Sequence, residues 1–468
     1  MKKILAALLS SAMCVTVLAG CGSSTTSSNS TSASSNSVGT DSLTTQSNDA
    51  VSAETESAGE SVSSGENKTL SLFFWDDLDT STDLNTQVFK EAIDEFNAED
   101  NGYTIETTTT DISNYYIKLN ALVAADDMPD VFVCHPGSLM RNAAKAGVLM
   151  PLDDLLKTDG WYDTFNTSYF DNLKYNDQIV AIPYKAAAAC VFYNKDIFSE
   201  AGVEKLPTTW DEFLDACQKI KDAGYAPIAS SGTESWVIGI LGGYLADRNG
   251  GSLSKILSGK INWTDQSFID AGDCLLQLVD NGYFQDSFLG DSNDQMTNKF
   301  ITGQAAMMIT GSWGISSIAG EGSTVEDIAG VFPFPAISTD SDPNRWIIKT
   351  DNICISHDTK NLDAALDFFR ILSSEDIQKR FAEVAGSTPI LASCDVDYNA
   401  APPQLKELND CLQNMTGSFG YFNESLPSET GGAFNNAILS IALKQETPQE
   451  AFQVVQDTYT DELASEAE

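Results

Sequence analysis

Positive charge is scarce in this sequence. Its 468 residues hold 26 Lys and Arg against 67 Asp and Glu, a formal net charge of −41. A chain this acidic is repelled by nucleic acid and by anionic lipid. The same field opposes the steering of an anionic ligand and favours a neutral or cationic one. Most of the acids read as solvated surface. Histidine is nearly missing, with only His135 and His357, so a His-based metal or catalytic site is disfavoured. His135 reads instead as a hydrogen-bonding side chain on a cleft rim, in the loop Cys134-His135-Pro136-Gly137-Ser138. Long apolar runs are absent too: the run from Ile4 to Val17 falls short of the ~20 residues that span a bilayer. There are nine cysteines, but no spacing marks a disulfide framework or a C-x-x-C metal site. Cys134, Cys190, Cys217, Cys274 and Cys354 lie in apolar contexts and read as buried thiols. The aspartates between positions 76 and 83 lack the central Gly and the closing Glu of an EF-hand loop. No nucleophile elbow or catalytic motif is present. Neither metal nor cofactor is expected.

The N-terminus carries what the rest lacks. Lys2 and Lys3 precede the short apolar run, and Leu18-Ala19-Gly20-Cys21 follows it. Charge, apolar segment and small residues are signal-peptide features. A Cys directly after them looks like a bacterial lipobox. Residues 1–20 are expected to be a lipoprotein signal peptide, with Cys21 carrying the lipid on the extracellular face of the cell membrane. Loss of Lys2 and Lys3 with the leader takes the charge to −43. Residues 21–67 are rich in Ser and Thr with few apolar side chains. They are expected to be a disordered tether.

About 400 residues then remain, more than one core usually supports, so two lobes are expected. Thr69–Trp75, Tyr103–Thr107 and Pro129–Val133 read as strands separated by two helices, the start of a doubly wound α/β lobe. In such sheets ligands sit beyond the carboxyl ends of strands. That places Trp75, Asp76, Asp77, His135 and Ser138 as candidates. Ile182 to Tyr193 reads as a buried strand, with Tyr184 and Lys185 near its start. Asp196 to Ala201 reads as a short helix stopped by Gly202. Thr209-Trp210-Asp211-Glu212 spells a capping box. Glu234 and Trp236 follow a strand end in Ser230–Trp236. Gly303–Trp313 reads as a strand whose Gly-Ser turn exposes an indole. Trp346–Ser356 is a strand interrupted by Asp351 and Asn352. Ser373 is expected to cap a helix, and helices are expected over 433–443 and 448–463, with Glu429 just before the first of them.

Three segments carry a resemblance: IPYKAAAACVFYNKDIF, PTTWDEF and GQAAMMITGSW. They are similar to segments of the family 1 extracellular solute-binding proteins of ABC transporters, the maltose and multiple-sugar-binding group. The resemblance extends over nearly all of the chain after residue 68. It implies a two-lobe, periplasmic-binding-protein-like α/β fold (type II) with the ligand cleft between the lobes. It implies the divisions 68–187 (first lobe), 188–307 (second lobe), 308–350 (first lobe again) and 351–468 (second lobe again). It also implies a neutral sugar or oligosaccharide as ligand and ABC permease subunits as partners. Each sugar ring offers a C–H face that stacks on an aromatic ring, and its hydroxyls donate to carboxylates. Trp75, Trp236 and Trp313 are the expected platforms, with Tyr184 beside them. Asp76, Asp77, Glu234, Asp351 and Glu429 are the expected acceptors. His135, Ser138, Lys185 and Asn352 are secondary. The maltose-binding relatives carry an acid where this chain has Ala186 to Ala189, and an aromatic where it has Gly431 and Gly432. Maltose itself is therefore not the expected ligand.

Two other readings compete. An acid-lined cleft of the same fold suits a polyamine or a peptide. A glycoside hydrolase would need two carboxylates about 5–10 Å apart, and acids are abundant. The expectation is a receptor and not an enzyme.

Overall fold

Strands form where apolar and β-branched residues concentrate. Eleven of them lie within residues 68–466, the residues that this computed structural model describes. The leader, Cys21 and the tether fall outside these residues. In chain order the strands are β1 (Lys68–Phe74), β2 (Tyr103–Thr109), β3 (Val131–Cys134), β4 (Lys174–Tyr175), β5 (Gln178–Ile179), β6 (Ile182–Asn194), β7 (Ala226–Ala229), β8 (Ala305–Gly311), β9 (Ala329–Phe332), β10 (Arg345–Ile355) and β11 (Gly417–Phe419). β4 and β5 form a small hairpin, and the other nine belong to one sheet.

The sheet begins as the doubly wound pattern predicts. β1 pairs in parallel with β2 and β3, through the helices Leu84–Ala98 and Ile112–Ala125. Asp83 and Asp111 cap those helices by accepting from the amides of Thr86 and Asn114. Two long strands then carry the sheet onward. The first half of β6, through Ala188, pairs antiparallel with β10. From Ala189 onward β6 pairs with β8 and β9 instead.

Three apolar clusters divide along these strands. One contains Leu70 to Ala186 together with Ile353 to Ile390. The other two take alternate residues of β6, Ala189 and Val191 against Cys190 and Phe192. Side chains of a strand alternate between faces, so this half of the sheet is covered on both sides, as buried α/β sheets are. The first cluster is the core of one lobe, and the other two together form the core of the second.

This partition differs from the one expected of the sequence. Residues 308–334 pack with the second lobe and the clustered residues of Ile353–Ile390, Ala382 apart, with the first. The reason is pairing: β8 stays hydrogen-bonded to β6 and β7 on the second-lobe side, while the end of β10 joins β3. The passages between lobes are therefore β6, β10 and a segment between Leu391, on the first cluster, and Val396, on a second-lobe cluster.

Local signals behave as their chemistry dictates. The Thr209–Glu212 capping box is formed, and the helix Lys195–Glu200 precedes Gly202 at φ +71°. Ser374, not Ser373, caps the helix Glu375–Glu383. Ser373 lies at the end of the preceding helix, where its hydroxyl accepts from the Trp161 indole and donates to Phe369. The helix expected over 433–443 begins earlier, at Ser428, and so takes Glu429 into its first turn. Among the cysteines read as buried, Cys134, Cys190, Cys217 and Cys354 are buried thiols and Cys274 is half-buried.

Candidate functional site

β10 builds the centre of the groove between the lobes. Lys349 and Asp351 stand two residues apart on it, which puts both on one face. Asp351 lies opposite Lys185 of β6. The register shifts between Asp351 and Asn352, so Asn352 turns inward. It is fully buried, and its amide donates to the carbonyls of Cys134 and Thr350 at 3.1 and 3.0 Å. Asn352 thus ties β10 to β3 and leaves Asp351 at the groove.

Asp351 has three nitrogen neighbours. Lys185 Nζ is 3.1 Å away, His135 Nε2 3.3 Å and Lys349 Nζ 3.4 Å. Lys349 Nζ also lies 3.1 Å from His135 Nε2 and 3.7 Å from Glu424. Burial alone would raise the Asp351 carboxyl, but Lys349, Lys185 and His135 outweigh it and hold it well below the usual carboxylate range. Burial likewise would depress the Lys349 ammonium, and Asp351 and Glu424 together raise it.

Aromatic rings flank this charged centre on both sides. On the first-lobe side Trp75 stacks on His135, with centroids 4.7 Å apart and planes at 29°. The His135 amide donates to the Tyr116 hydroxyl at 3.0 Å. On the second-lobe side Trp313 lies 6.2 Å from Trp236 and 6.0 Å from Tyr421. Lys349 Nζ sits 4.9 Å over the Trp313 ring and 5.7 Å over Tyr421, within cation–π range. Trp75 and Trp313 therefore border one groove, linked through His135 and Lys349. The Gly-Ser turn explains the pose of Trp313: a Cβ on Gly311 would meet its ring at 2.0 Å, so only glycine lets the indole fold back over the strand end.

Three residues of this site were not singled out from the sequence: Lys349, Tyr421 and Glu424. Lys349 carried a readable signal, because it breaks an apolar run and shares a strand face with Asp351. Tyr421 and Glu424 reach the groove only through long-range packing of the helix Phe422–Ser425. Glu424 Oε2 and the Tyr421 hydroxyl are buried there without a hydrogen-bond partner, and Asp351 Oδ1 has only its ion-pair contacts with His135 and Lys349. Buried polar atoms are rarely left so, and these three are the groove's spare capacity. The lobes also touch closely here. Gly137 has φ +77°, and a Cβ on it would lie 1.5 Å from the Glu424 carbonyl oxygen.

Other candidate residues have local partners. Asp76 accepts from the Ser81 and Thr86 hydroxyls at 2.6 and 2.7 Å. Asp77 accepts from the amides of Asp79 and Thr80, which lower its carboxyl. Both acids thus brace the loop after β1. Tyr184 is buried between Phe89 and Phe381, and burial pushes its hydroxyl well up. Glu234 precedes the helix of Trp236 and accepts from the Asn293 amide. Glu429 is exposed, on a separate groove between the helices Ser428–Ala442 and Pro448–Glu466. Ser138 opens the helix Ser138–Lys145.

A groove between two lobes, with rings at both flanks and fixed hydrogen-bonding charges at its centre, defines a protein that holds a ligand. The comparisons say which kind. The profile described as bacterial extracellular solute-binding protein matches residues 82–379, and the chain belongs to that family. It is 25% identical over 332 residues to a multiple sugar-binding protein of Streptococcus mutans, covering 68% of this chain and 76% of that one. It is 26% identical over 336 residues to an sn-glycerol-3-phosphate-binding periplasmic protein of Rhizobium meliloti, covering 66% and 73%. Among solved structures, a chitin oligosaccharide binding protein superposes with TM-score 0.79 at 26% identity, over 86% of this chain and all of the other. A structure described with xylan utilization by Caldanaerobius polysaccharolyticus gives 0.77 at 26%, over 83% and 99%. The fold is the two-lobe α/β fold of these proteins, which are substrate receptors and not enzymes. No helix of the described residues is long and apolar enough to cross a membrane.

Proposed function

We propose that this chain is the sugar-binding receptor of an ABC importer, held at the extracellular membrane face by a lipid on Cys21. It takes an oligosaccharide between the lobes and presents it to the permease. The first lobe comprises about 68–187 and 352–391, and the second comprises about 188–350 and 396–466. One observation carries the reading: Trp75 and Trp313 face the same groove, joined by a buried Lys349–Asp351 pair that offers donors and acceptors to hydroxyls. Sugar rings stack on Trp313 and Trp236, and hydroxyls bond to Asp351, Glu424, Lys185 and His135. Similarity to receptors named for multiple sugars and chitin oligosaccharides supports the same class of ligand. A polyamine is disfavoured, because Lys185 and Lys349 stand where its cations would sit.

A thermal-shift panel of neutral oligosaccharides, polyamines and peptides tests this. A ligand at 100 times its Kd adds about 2.7 kcal/mol, so the expected result is the largest rise in Tm from an oligosaccharide. A flat sugar panel beside a positive polyamine overturns the reading.

A further inference from the structure

We infer that the groove contains a compartment for an anionic substituent on its ligand, a carboxylate or a phosphate, and that Arg141 selects for it. The inference rests on the sugar reading above and deepens it. Between the lobes lies a cavity of about 210 Å³. Its charged lining consists of Arg141, Asp171, Lys174, Lys349 and Glu424, and the Tyr421 ring completes one wall.

These charges nearly cancel. Lys349 lies 3.7 Å from Glu424, and Lys174 lies 3.6 Å from Asp171. Beyond them Lys185 pairs with Asp351. Arg141 is left over. Its half-buried guanidinium has no ion pair and no side-chain hydrogen bond among the described residues. In a chain with 67 acids and only 26 Lys and Arg, an unclaimed cation inside the groove stands out from the paired charges around it. Guanidinium is also the group whose planar fork matches carboxylate and phosphate oxygens. Its helix, Ser138–Lys145, starts beside the contact of Gly137 with Glu424, so it faces the second lobe where the two walls meet. The acidic surface does not forbid this: fields are screened beyond about 8 Å at physiological salt. A neutral ring on Trp313 and an acidic substituent beside Arg141 are compatible within one ligand.

Calorimetry tests it with three probes: the best neutral oligosaccharide of the panel, the same sugar oxidised at C6 to a uronate, and its 6-phosphate. A charge-assisted bond predicts that one acidic form binds on the order of ten to a hundred times tighter than the neutral form. The preferred form identifies the substituent. Arg141→Gln removes that gain and leaves neutral binding unchanged, and Arg141→Lys restores part of it. Equal weakening of all three probes in Arg141→Gln reduces Arg141 to a hydroxyl donor and overturns the inference. So does tighter binding of the neutral form by the wild type. If no sugar binds in any form, the receptor reading falls as well.

Discussion

The two walls of the groove solve opposite problems. The first-lobe wall, with the β10 residues at its edge, is a lattice of charge backed by the Trp75 ring: Lys185, His135, Lys349 and Asp351 lie within 3.4 Å of one another along the chain of contacts. The second-lobe wall is a set of rings, Trp236, Trp313 and Tyr421, spaced near 6 Å. The charged wall is costly to desolvate, and each member depends on the others. The aromatic wall gains from the apolar area that a C–H face covers. The charged wall should therefore govern stability and pH response, and the aromatic wall affinity.

Lys349 is where the comparison breaks most easily, because it belongs to both walls. Lys349→Met strands Glu424 in a buried site and leaves Asp351 with Lys185 and His135 only. Breaking a buried pair in this way costs about 3–5 kcal/mol, read by urea denaturation. Lys349→Met/Glu424→Gln should recover part of that loss, and additive losses would show the two are not coupled. The pH response follows from the same groups. Asp351 is depressed in the folded state, so its contribution is present above the unfolded value of about 3.9 and lost as pH falls below it. Lys349 is raised, so its contribution is present below about 10.4 and lost as pH rises through its folded value. A stability plateau between these limits is expected, and Lys349→Met should flatten both edges.

Trp313→Ala probes the aromatic wall. Loss of about 2 kcal/mol of apolar contact with a sugar ring lowers affinity roughly thirtyfold, with lobe stability little changed. An unchanged Kd would make Trp313 a packing residue of Tyr421 and Trp236. Gly137→Ala probes the meeting of the walls. The methyl cannot fit against the Glu424 carbonyl, so the lobes must part. Affinity should fall by about tenfold, or 1.4 kcal/mol, for every ligand alike, while each lobe still unfolds near its usual midpoint.

Much of this was legible in the sequence where the cause is local. The capping box at Thr209, the β-α-β-α-β start and the Gly-Ser-Trp turn each depend on neighbours within a few residues. Trp75, Trp236, Trp313 and Asp351 were readable as rings or an acid at strand ends and interruptions. What was not legible depends on which strand pairs with which. β8 reads as a strand wherever it lies, and only its hydrogen bonds to β6 and β7 put 308–334 in the second lobe. Tyr421 and Glu424 lie about seventy residues from Lys349, and nothing near them in sequence announces the meeting. Asp76 shows the other side: it reads as a ligand acceptor at a strand end, and packing adds a local role, with Ser81 and Thr86 both donating to its Oδ2.

The smallest effect supplies the control. Thr209 accepts from the Glu212 amide, and Glu212 in turn accepts from the amides of Thr208 and Thr209 and lies lower than usual because of them. Thr209→Ala removes one half of that exchange at the start of a second-lobe helix that contributes no side chain to either wall. Loss of such a cap costs about 1 kcal/mol. Tm should drop by a few degrees or less for a fold of this size, and sugar affinity should not change at all. If Kd moved together with Tm here, stability and affinity would be one property of the second lobe, and the division of labour between the charged wall and the ring wall would lose its basis.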